Sequence, residues 1–316
     1  MTAQTWGAYS SLINVNELTE YVRHQAQDLQ GFDQLCNAPT GGALGRGKGD
    51  VVQYTYFPNI SASGGVLDEN EEMPEGSITP VKGTYTISEF GNSIKWTGKL
   101  DELSRLDTES DFMKALVDDM KKLGNTQAFN QFDATDWIAT FNSTADEFRT
   151  DGTAASFTNV ANEDLTLPNL RYIRKQAEKR LIPTFDGESY MVVSGVDSID
   201  NLTSGSDVTG MLQYDSGRAA LNQEVGRIAG CRLIKDTHKI AKVGGSSTGA
   251  GANLDKTYLV GGDAVLKEYA LAPEIRAQDK DFGRSIAIAY YFMGAWIKIM
   301  DQTLHSKEHI IKVVSK

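Results

Sequence analysis

Two alternating segments, separated by about two dozen mostly polar residues, most constrain how this chain can fold. In VVQYTYFP, the side chains of Val52, Tyr54 and Tyr56 lie on one face of a predicted strand. GTYTISEF continues this pattern through Tyr85 and Ile87. The intervening loop far exceeds the roughly two to five residues that usually close a hairpin. Because a two-stranded ribbon is marginally stable in water, we expect another surface to cover it, most simply a second copy of the chain.

A proline-free stretch at residues 100–141 indicates a long helix. Thr108 with Asp111 has the spacing of an N-terminal capping box, in which side chains satisfy the first backbone N–H groups. The apolar residues that follow recur mainly at steps of three and four: Met113, Leu116, Met120 and Leu123, continued by Phe129, Phe132, Trp137, Ile138 and Phe141. If it is unbroken over 109–141, the predicted helix is about 50 Å long at roughly 1.5 Å per residue, and Gly124 is the expected place for any bend.

Helix and strand patterns alternate after residue 150. A helix is predicted between Thr166 and Pro183, with four apolar residues on its buried face: Leu170, Ile173, Ala177 and Leu181. Predicted strands follow at 190–194, 231–235 and 257–261, with a short helix around Ile199 to Leu202. The alternation predicts a compact α/β domain. The apolar, strand-like segment 285–300 is expected to pack against the long helix.

Composition and charge exclude several classes of protein. The 316 residues carry a net charge of −11, which argues against general binding of nucleic acid, because such binding depends on clustered Lys and Arg. No apolar run approaches the roughly 20 residues that span a bilayer, and the first residues lack a signal-peptide pattern. Cys36 and Cys231 form no CxxC pair. We therefore expect a protein of the cytoplasm, without a membrane anchor.

GALGRGKGD, at 42–50, is one substitution away from a phosphate-binding loop. Gly42, Gly47 and Lys48 fit that pattern, but Gly49 replaces the Ser or Thr whose hydroxyl binds magnesium. The segment also follows a Pro-Thr-Gly turn and precedes a strand, whereas a phosphate loop follows a strand and begins a helix. We expect a glycine-rich joint and no nucleotide cofactor.

Two further motifs resemble metal sites and fail on context. HSKEH, at 305–309, matches the H-x-x-E-H form of zinc peptidases, but only seven residues remain for a third ligand and the following IIKVV is strand-like. Surface histidines are the favoured interpretation. DENEEMPEG, at 68–76, lacks the spacing of a calcium-binding loop. The four histidines have no recognisable nucleophile as a partner, so we expect no metal and no enzymatic activity.

Several phrases, in this order, resemble the major capsid proteins of tailed bacteriophages, whose shell fold is shared with herpesvirus capsids and encapsulins. In MPEGSITPVKGTYTISEFGNSIKWT, the Glu75-Gly76 pair, Pro80 and the Phe90-Gly91 step match that family. In YMVVSGVDSIDNL, Gly195-Val196 stands where the family often has a His-Pro pair. The phrases are GKGDVVQYTYFPNIS, MPEGSITPVKGTYTISEFGNSIKWT, YMVVSGVDSIDNL, GRIAGCRLI, TYLVGGDAV and GAWIKI.

The resemblance implies an α+β fold in four parts. These are an N-terminal arm (1–45), an extended β-hairpin loop (46–97), a peripheral domain with a spine helix (98–149 and 276–316) and an axial domain (150–275). It implies self-assembly as hexamers and pentamers into an icosahedral shell that encloses packaged double-stranded DNA. Portal, scaffolding and decoration proteins are the other expected partners, and the virion, assembled in the host bacterial cytoplasm, is the expected location. Since the arm begins at Met1, removal of a large N-terminal scaffold segment is not expected.

Candidate contact residues follow from the uncovered ribbon, its acidic loop and the arm. The residues predicted to contact a neighbouring subunit are Leu12, Ile13, Tyr54, Tyr56, Asp68, Glu69, Glu71, Glu72, Tyr85 and Ile87. Arg46 and Lys48 are predicted to contact phosphates or a neighbour's acids. Two alternatives stay open: an encapsulin-type nanocompartment that encloses an enzyme, and a nucleotide-dependent enzyme that uses the Gly42–Gly49 loop.

Overall fold

In this computed structural model, the residues described are 28, 30–37, 49–60, 64–67, 69, 72–73, 75–103, 108–141, 146–152, 164–204, 225–240, 255–280, 282 and 284–315. The helices are α1 (Gly98–Leu103), α2 (Thr108–Asp133), α3 (Leu167–Lys179), α4 (Val196–Ser204) and α5 (Gln302–His305). The strands are β1 (Val51–Tyr56), β2 (Val81–Thr86), β3 (Ser88–Thr97), β4 (Ile138–Thr140), β5 (Glu147–Arg149), β6 (Tyr190–Ser194), β7 (Val225–Ile228), β8 (Cys231–Lys235), β9 (Asp255–Val260), β10 (Val265–Lys280), β11 (Ser285–Lys298) and β12 (Ile310–Ser315).

The chain forms two compact units, of which the first includes residues 90–121 and 273–291. Within this unit the Tyr290 hydroxyl of β11 donates a hydrogen bond to Asp119 of α2, with an oxygen–oxygen distance of 2.8 Å. The Trp96 ring of β3 lies 5.3 Å from the Phe112 ring of α2. The prediction that segment 285–300 is strand-like is confirmed by β11, and Tyr290 of β11 contacts the long helix as expected.

The second unit includes residues 28–89, 122–272 and 292–316, and contains a seven-stranded mixed sheet in the order β5-β4-β12-β9-β6-β8-β7. β12 is parallel to β4 and antiparallel to β9, while β6 is parallel to β8. The apolar face of α3 is buried in the same hydrophobic cluster as inward-facing residues of this sheet. The predicted strands 190–194 and 231–235 are confirmed, and the four-part domain division stays a prediction. The sheet nonetheless takes β4 and β12 from segments assigned by sequence to the peripheral domain.

The predicted helix over 109–141 is too long, because α2 ends at Asp133. Ile138–Thr140 form β4 instead, and all three residues are buried. A continuous apolar run fits a buried strand as well as a helix. Pairing with β12, about 170 residues later in the chain, favours the strand, because Lys312, Val313 and Val314 pair with β4.

The end of α2 is held by a charged cluster around Asp133. The Tyr258 hydroxyl donates to Asp133 Oδ1 at 2.7 Å, and the Nζ atoms of Lys256 and Lys312 each lie 3.1 Å from the same oxygen. Lys312 also donates to the Asp133 carbonyl at 2.9 Å, which caps the helix terminus. Burial acts to raise the pKa of Asp133, but the Tyr258 hydrogen bond and the two lysines outweigh it and hold the pKa below its ordinary value.

The segment around Phe32, which the sequence analysis places in the N-terminal arm, belongs to the core of the second unit. Phe32 is fully buried, and its ring lies 5.3 to 5.4 Å from the rings of Phe129, Phe132 and Tyr258. Its backbone N–H donates to Asn125 Oδ1 at 3.0 Å. One aromatic residue in a polar stretch carries no periodic signal, so the sequence pattern does not reveal this contact.

Two other local predictions need correction. Leu181, predicted on the buried face of the helix after Thr166, is 76% exposed, because α3 ends at Lys179 and Leu181 adopts a left-handed conformation with φ of 57°. β10 was not predicted at all, since Pro273 interrupts its pattern. β10 is the edge strand of a three-stranded sheet in the order β10-β11-β3, and proline, which has no backbone N–H, is tolerated at an edge.

Replacing Phe32 by alanine is expected to lower the free energy of unfolding by about 3–5 kcal/mol, because it leaves a cavity among three aromatic rings. Urea denaturation of the dispersed chain measures the change. Phe57→Ala is the control: Phe57 is 67% exposed, and its loss should change stability by less than about 0.5 kcal/mol. Equal, small effects of the two substitutions would show that the Phe32 segment is a peripheral arm.

Replacing Asp133 by asparagine is expected to destabilise the chain at pH 7 by about 1–2 kcal/mol, through loss of charged hydrogen bonds. Because the native pKa of Asp133 is lowered, its carboxylate contributes fully above the unfolded pKa of about 3.9, and this contribution is lost as the pH falls towards the native pKa. Urea unfolding at a series of pH values should show the two proteins converging below about pH 4. Asp200→Asn, at an exposed position of α4, should behave as wild type. A pH-independent difference would contradict the assignment.

Candidate interaction surfaces

The ribbon predicted from sequence is present, as an antiparallel pair of β1 and β2 in which Tyr54 lies opposite Gly83. A Cβ atom at Gly83 would overlap the Tyr54 ring, so glycine is required there. Residues of β1 alternate regularly between exposed and half-buried, with Tyr54 and Tyr56 on the half-buried side. Tyr85 of β2 shares that side, which we call the inner face of the ribbon.

The inner face contacts residues of the same chain. The Tyr54 hydroxyl donates to the Ile299 carbonyl at 3.1 Å, and the Tyr85 hydroxyl donates to the Glu268 carboxylate. Burial, assisted by the charge of Asp301, raises the pKa of Tyr54. The chain therefore covers part of the surface that the sequence analysis assigned to a neighbouring copy. The contact of Tyr54, Tyr56, Tyr85 and Ile87 with another subunit stays a prediction.

His305, in the short helix α5, also contacts the inner face. Its ring lies edge-on to Tyr56 at 5.0 Å and stacks on Tyr54 at 6.3 Å. The His305 Nδ1 atom accepts a hydrogen bond from the Asp301 N–H at 3.2 Å, and the Asp301 carboxylate caps α5 by accepting from the Thr303 N–H at 2.7 Å. α5 is thus a fixed support for the ribbon.

The described part of the loop after β1 exposes apolar side chains that the sequence analysis did not select. The most exposed are Phe57 (67%), Met73 (68%) and Val66 (104%). Ile60, Leu67 and Ile78 are about half exposed. We call these six residues the apolar loop residues. All six fall between residues 57 and 78, and the signal in the sequence was apolar residues spaced through an acidic, glycine-rich loop.

The predicted charged contacts are only partly described. Glu69 and Glu72 are exposed. Asp68 and Glu71, the basic pair Arg46 and Lys48, and the arm residues Leu12 and Ile13 lie outside the described residues, and their roles stay predictions. Most of the Gly42–Gly49 loop also lies outside, and Gly49 itself has a φ of 79°.

The HSKEH motif is a structural junction. Glu308 is fully buried and accepts hydrogen bonds from the Asp136 and Trp137 N–H groups, from the Thr135 hydroxyl and, at 2.7 Å, from Lys298. Burial acts to lower the pKa of Lys298, but its bond to Glu308 outweighs this effect and raises the pKa. Glu308 therefore fixes the turn between α2 and β4.

The histidines of the motif are not simple surface residues. His309 Nδ1–H donates to the Gly262 carbonyl at 2.6 Å, and burial lowers the pKa of His309. Among the residues that the structure describes, no group of three or more His, Cys, Asp or Glu side chains is placed to hold a metal ion. None of the described helices is long and apolar enough to cross a membrane.

The mixed sheet, the long helix and the extended ribbon together define an α+β fold, and this fold is that of tailed-phage capsid proteins. The chain is similar to solved structures from the capsids of cyanophage Pam1 (12% identity, TM-score 0.70), Ralstonia phage GP4 (13%, 0.67) and Helicobacter pylori bacteriophage KHP30 (15%, 0.67). Each similarity covers 100% of this chain and 98%, 98% and 100%, respectively, of the other. No protein-family profile and no curated protein matches the sequence.

Replacing Tyr54 by phenylalanine is expected to loosen the ribbon, because it removes the hydroxyl that bonds to the Ile299 carbonyl. A loss of about 0.5–1.5 kcal/mol corresponds to roughly two- to tenfold faster cleavage of the loop between β1 and β2 under limited proteolysis. Tyr56→Phe is the matched control, because the Tyr56 hydroxyl makes no hydrogen bond within the described residues. If both variants are cleaved at the wild-type rate, the Tyr54 hydroxyl does not hold the ribbon.

Proposed function

We propose that this protein is a structural shell protein, whose copies assemble as hexamers and pentamers into an icosahedral capsid around packaged double-stranded DNA. The observation that carries the proposal is the similarity in fold to phage capsid structures over the whole of both chains. The role is structural and not enzymatic. The same proposal makes the virion the location of the protein, and portal, scaffolding and decoration proteins its partners.

The apolar loop residues supply the attraction between copies. Phe57 and Met73 are each about two-thirds exposed in the isolated chain. Full burial of such a side chain against a neighbour is worth about 1.5–3 kcal/mol. Since each copy in a closed shell makes several such contacts, modest individual interfaces add up to a stable assembly.

The acidic tip of the loop adds orientation. Glu69 and Glu72, together with Asp68 and Glu71, would dock on a basic surface of the adjacent copy. Contacts between exposed charges contribute mainly to encounter rate and to the choice of partner surface, and they weaken with salt. Reversing these four charges should lower shell yield and alter its dependence on salt; unchanged yield and salt dependence would exclude this docking.

The first test is to express the chain alone and examine it by light scattering and negative-stain electron microscopy over a range of protein and salt concentrations. Rings of five and six subunits or closed shells are expected. A monomer at every concentration, unresponsive to added scaffold protein or crowding, would exclude self-assembly. The contents of native particles separate two shells of the same fold: DNA supports a phage capsid, whereas co-purified cargo protein supports a nanocompartment.

The double substitution Phe57→Ser and Met73→Ser is expected to raise the protein concentration needed for assembly at least tenfold, because about 1.4 kcal/mol of lost apolar burial changes an equilibrium by that factor. Light scattering against concentration measures the threshold. Leu181→Ser is the control, since Leu181 is 76% exposed but lies outside the loop. An unchanged threshold for the double variant would show that the loop is not an assembly contact.

A further inference from the structure

Helix α3 carries a row of positive charge on its exposed side. Arg171, Lys175 and Lys179 are four residues apart and all exposed, and we call them the basic stripe. At about 1.5 Å rise per residue, successive members are roughly 6 Å apart along the helix axis. None of the three has an ion pair or hydrogen bond of its side chain among the described residues.

The helix that carries the basic stripe is firmly anchored. Leu170, Ile173 and Ala177, on its opposite side, are at most 1% exposed. Pro168 lies in the first turn, where its fixed φ favours the start of a helix. The three charges are therefore displayed on a rigid support, and a ligand that binds them pays little for ordering the backbone.

The stripe is unfavourable for the isolated chain. Like charges four residues apart on a helix repel each other and destabilise it, and the stripe contains two such pairs. Glu178, the acid nearest to the basic stripe in sequence, forms an ion pair with Arg174, with 2.7 Å between Arg174 Nε and Glu178 Oε1. The first turn contains no acid to offset Arg171. This local excess of positive charge stands in a chain with net charge −11.

We propose that the basic stripe contacts the phosphate backbone of the packaged double-stranded DNA, and this proposal rests on the proposed capsid function. Regularly spaced cations on a rigid helix fit a regular row of phosphates, and such contacts hold DNA without reading its sequence. Two of the three residues are lysines, and lysine is depleted at the centres of protein–protein interfaces. These properties favour phosphate over the surface of another subunit.

The contact made by each copy is weak. Three phosphate contacts give a binding constant that falls with a slope of about −2.7 against the logarithm of salt concentration. Between about 50 and 200 mM salt this slope corresponds to a loss of roughly 40-fold. Many copies together would line the shell with weak sites, while the negative charge of the rest of the chain limits DNA binding elsewhere.

The test uses the full chain in dispersed form and a fluorescent DNA duplex of about 20 base pairs, with binding followed by anisotropy between about 50 and 200 mM salt. The variant is Arg171→Gln, Lys175→Gln and Lys179→Gln. The control is Lys95→Gln, Lys99→Gln and Lys121→Gln, which removes the same charge from other exposed positions. Wild type and control should bind with the salt slope given above, whereas the stripe variant should lose the slope and, at about 50 mM salt, at least tenfold in affinity.

Three outcomes would overturn the proposal. The first is an absence of DNA binding by wild type at about 50 mM salt. The second is an equal loss of DNA affinity in the stripe variant and in the control. The third is a stripe variant that binds DNA like wild type but no longer binds a peptide of residues 65–78. The last outcome would assign the stripe to the acidic loop of another copy. Assembly of every variant is measured separately by light scattering. Chains that bind DNA through the stripe but never form rings or shells would refute the capsid function and leave the DNA contact standing.

Discussion

The turn between α2 and β4 is the point on which much of the second unit depends. Glu308 is buried there with Lys298 at 2.7 Å, and it also accepts hydrogen bonds from the N–H groups of Asp136 and Trp137, which lie in the turn after α2 ends at Asp133. A buried ion pair adds little net stability, but leaving one partner alone typically costs about 3–5 kcal/mol. The carboxylate therefore acts mainly on geometry. It directs the chain into β4, so that β4 can pair with β12 between the edge strand β5 and the central strand β9 of the seven-stranded sheet.

The sequence predicts local elements well where one physical signal acts alone. The strand at 190–194 has the predicted limits, and α2 begins at Thr108, where the capping-box spacing indicates a start. The prediction fails where partners distant in sequence decide the structure. The local pattern of Trp137–Phe141 predicts a helix, but pairing with β12 makes residues 138–140 a strand. The local pattern around Phe32 predicts an arm, but its aromatic partners place Phe32 in the core. Neither contact leaves a mark in local periodicity, because both join segments about a hundred or more residues apart.

The candidate interaction surfaces, too, depend on contacts between residues distant in sequence, which local patterns do not predict. Alternation identifies the ribbon and its aromatic side, but it does not reveal that Ile299, Glu268 and His305 of the same chain occupy that side. The contact proposed with another copy rests instead on Phe57 and Met73, whose exposure is a property of the folded chain. The similarity in fold to phage capsid structures is found at 12–15% identity, whereas the resemblance visible in the sequence rests on the order of short phrases along the chain.

Charge in this chain is separated by location. Glu69, Glu72 and Glu75 are exposed in the loop between β1 and β2, whereas the cations of the basic stripe are exposed on helix α3 of the second unit. The proposed function sets two electrostatic requirements, to attract neighbouring copies in one orientation and to tolerate a densely charged polyanion on one side. Uniform negative charge serves neither, because it repels both neighbours and DNA alike. Separate patches allow each contact to be weak and dependent on salt, so that a lattice of many copies can correct misplaced subunits before the summed contacts make it permanent.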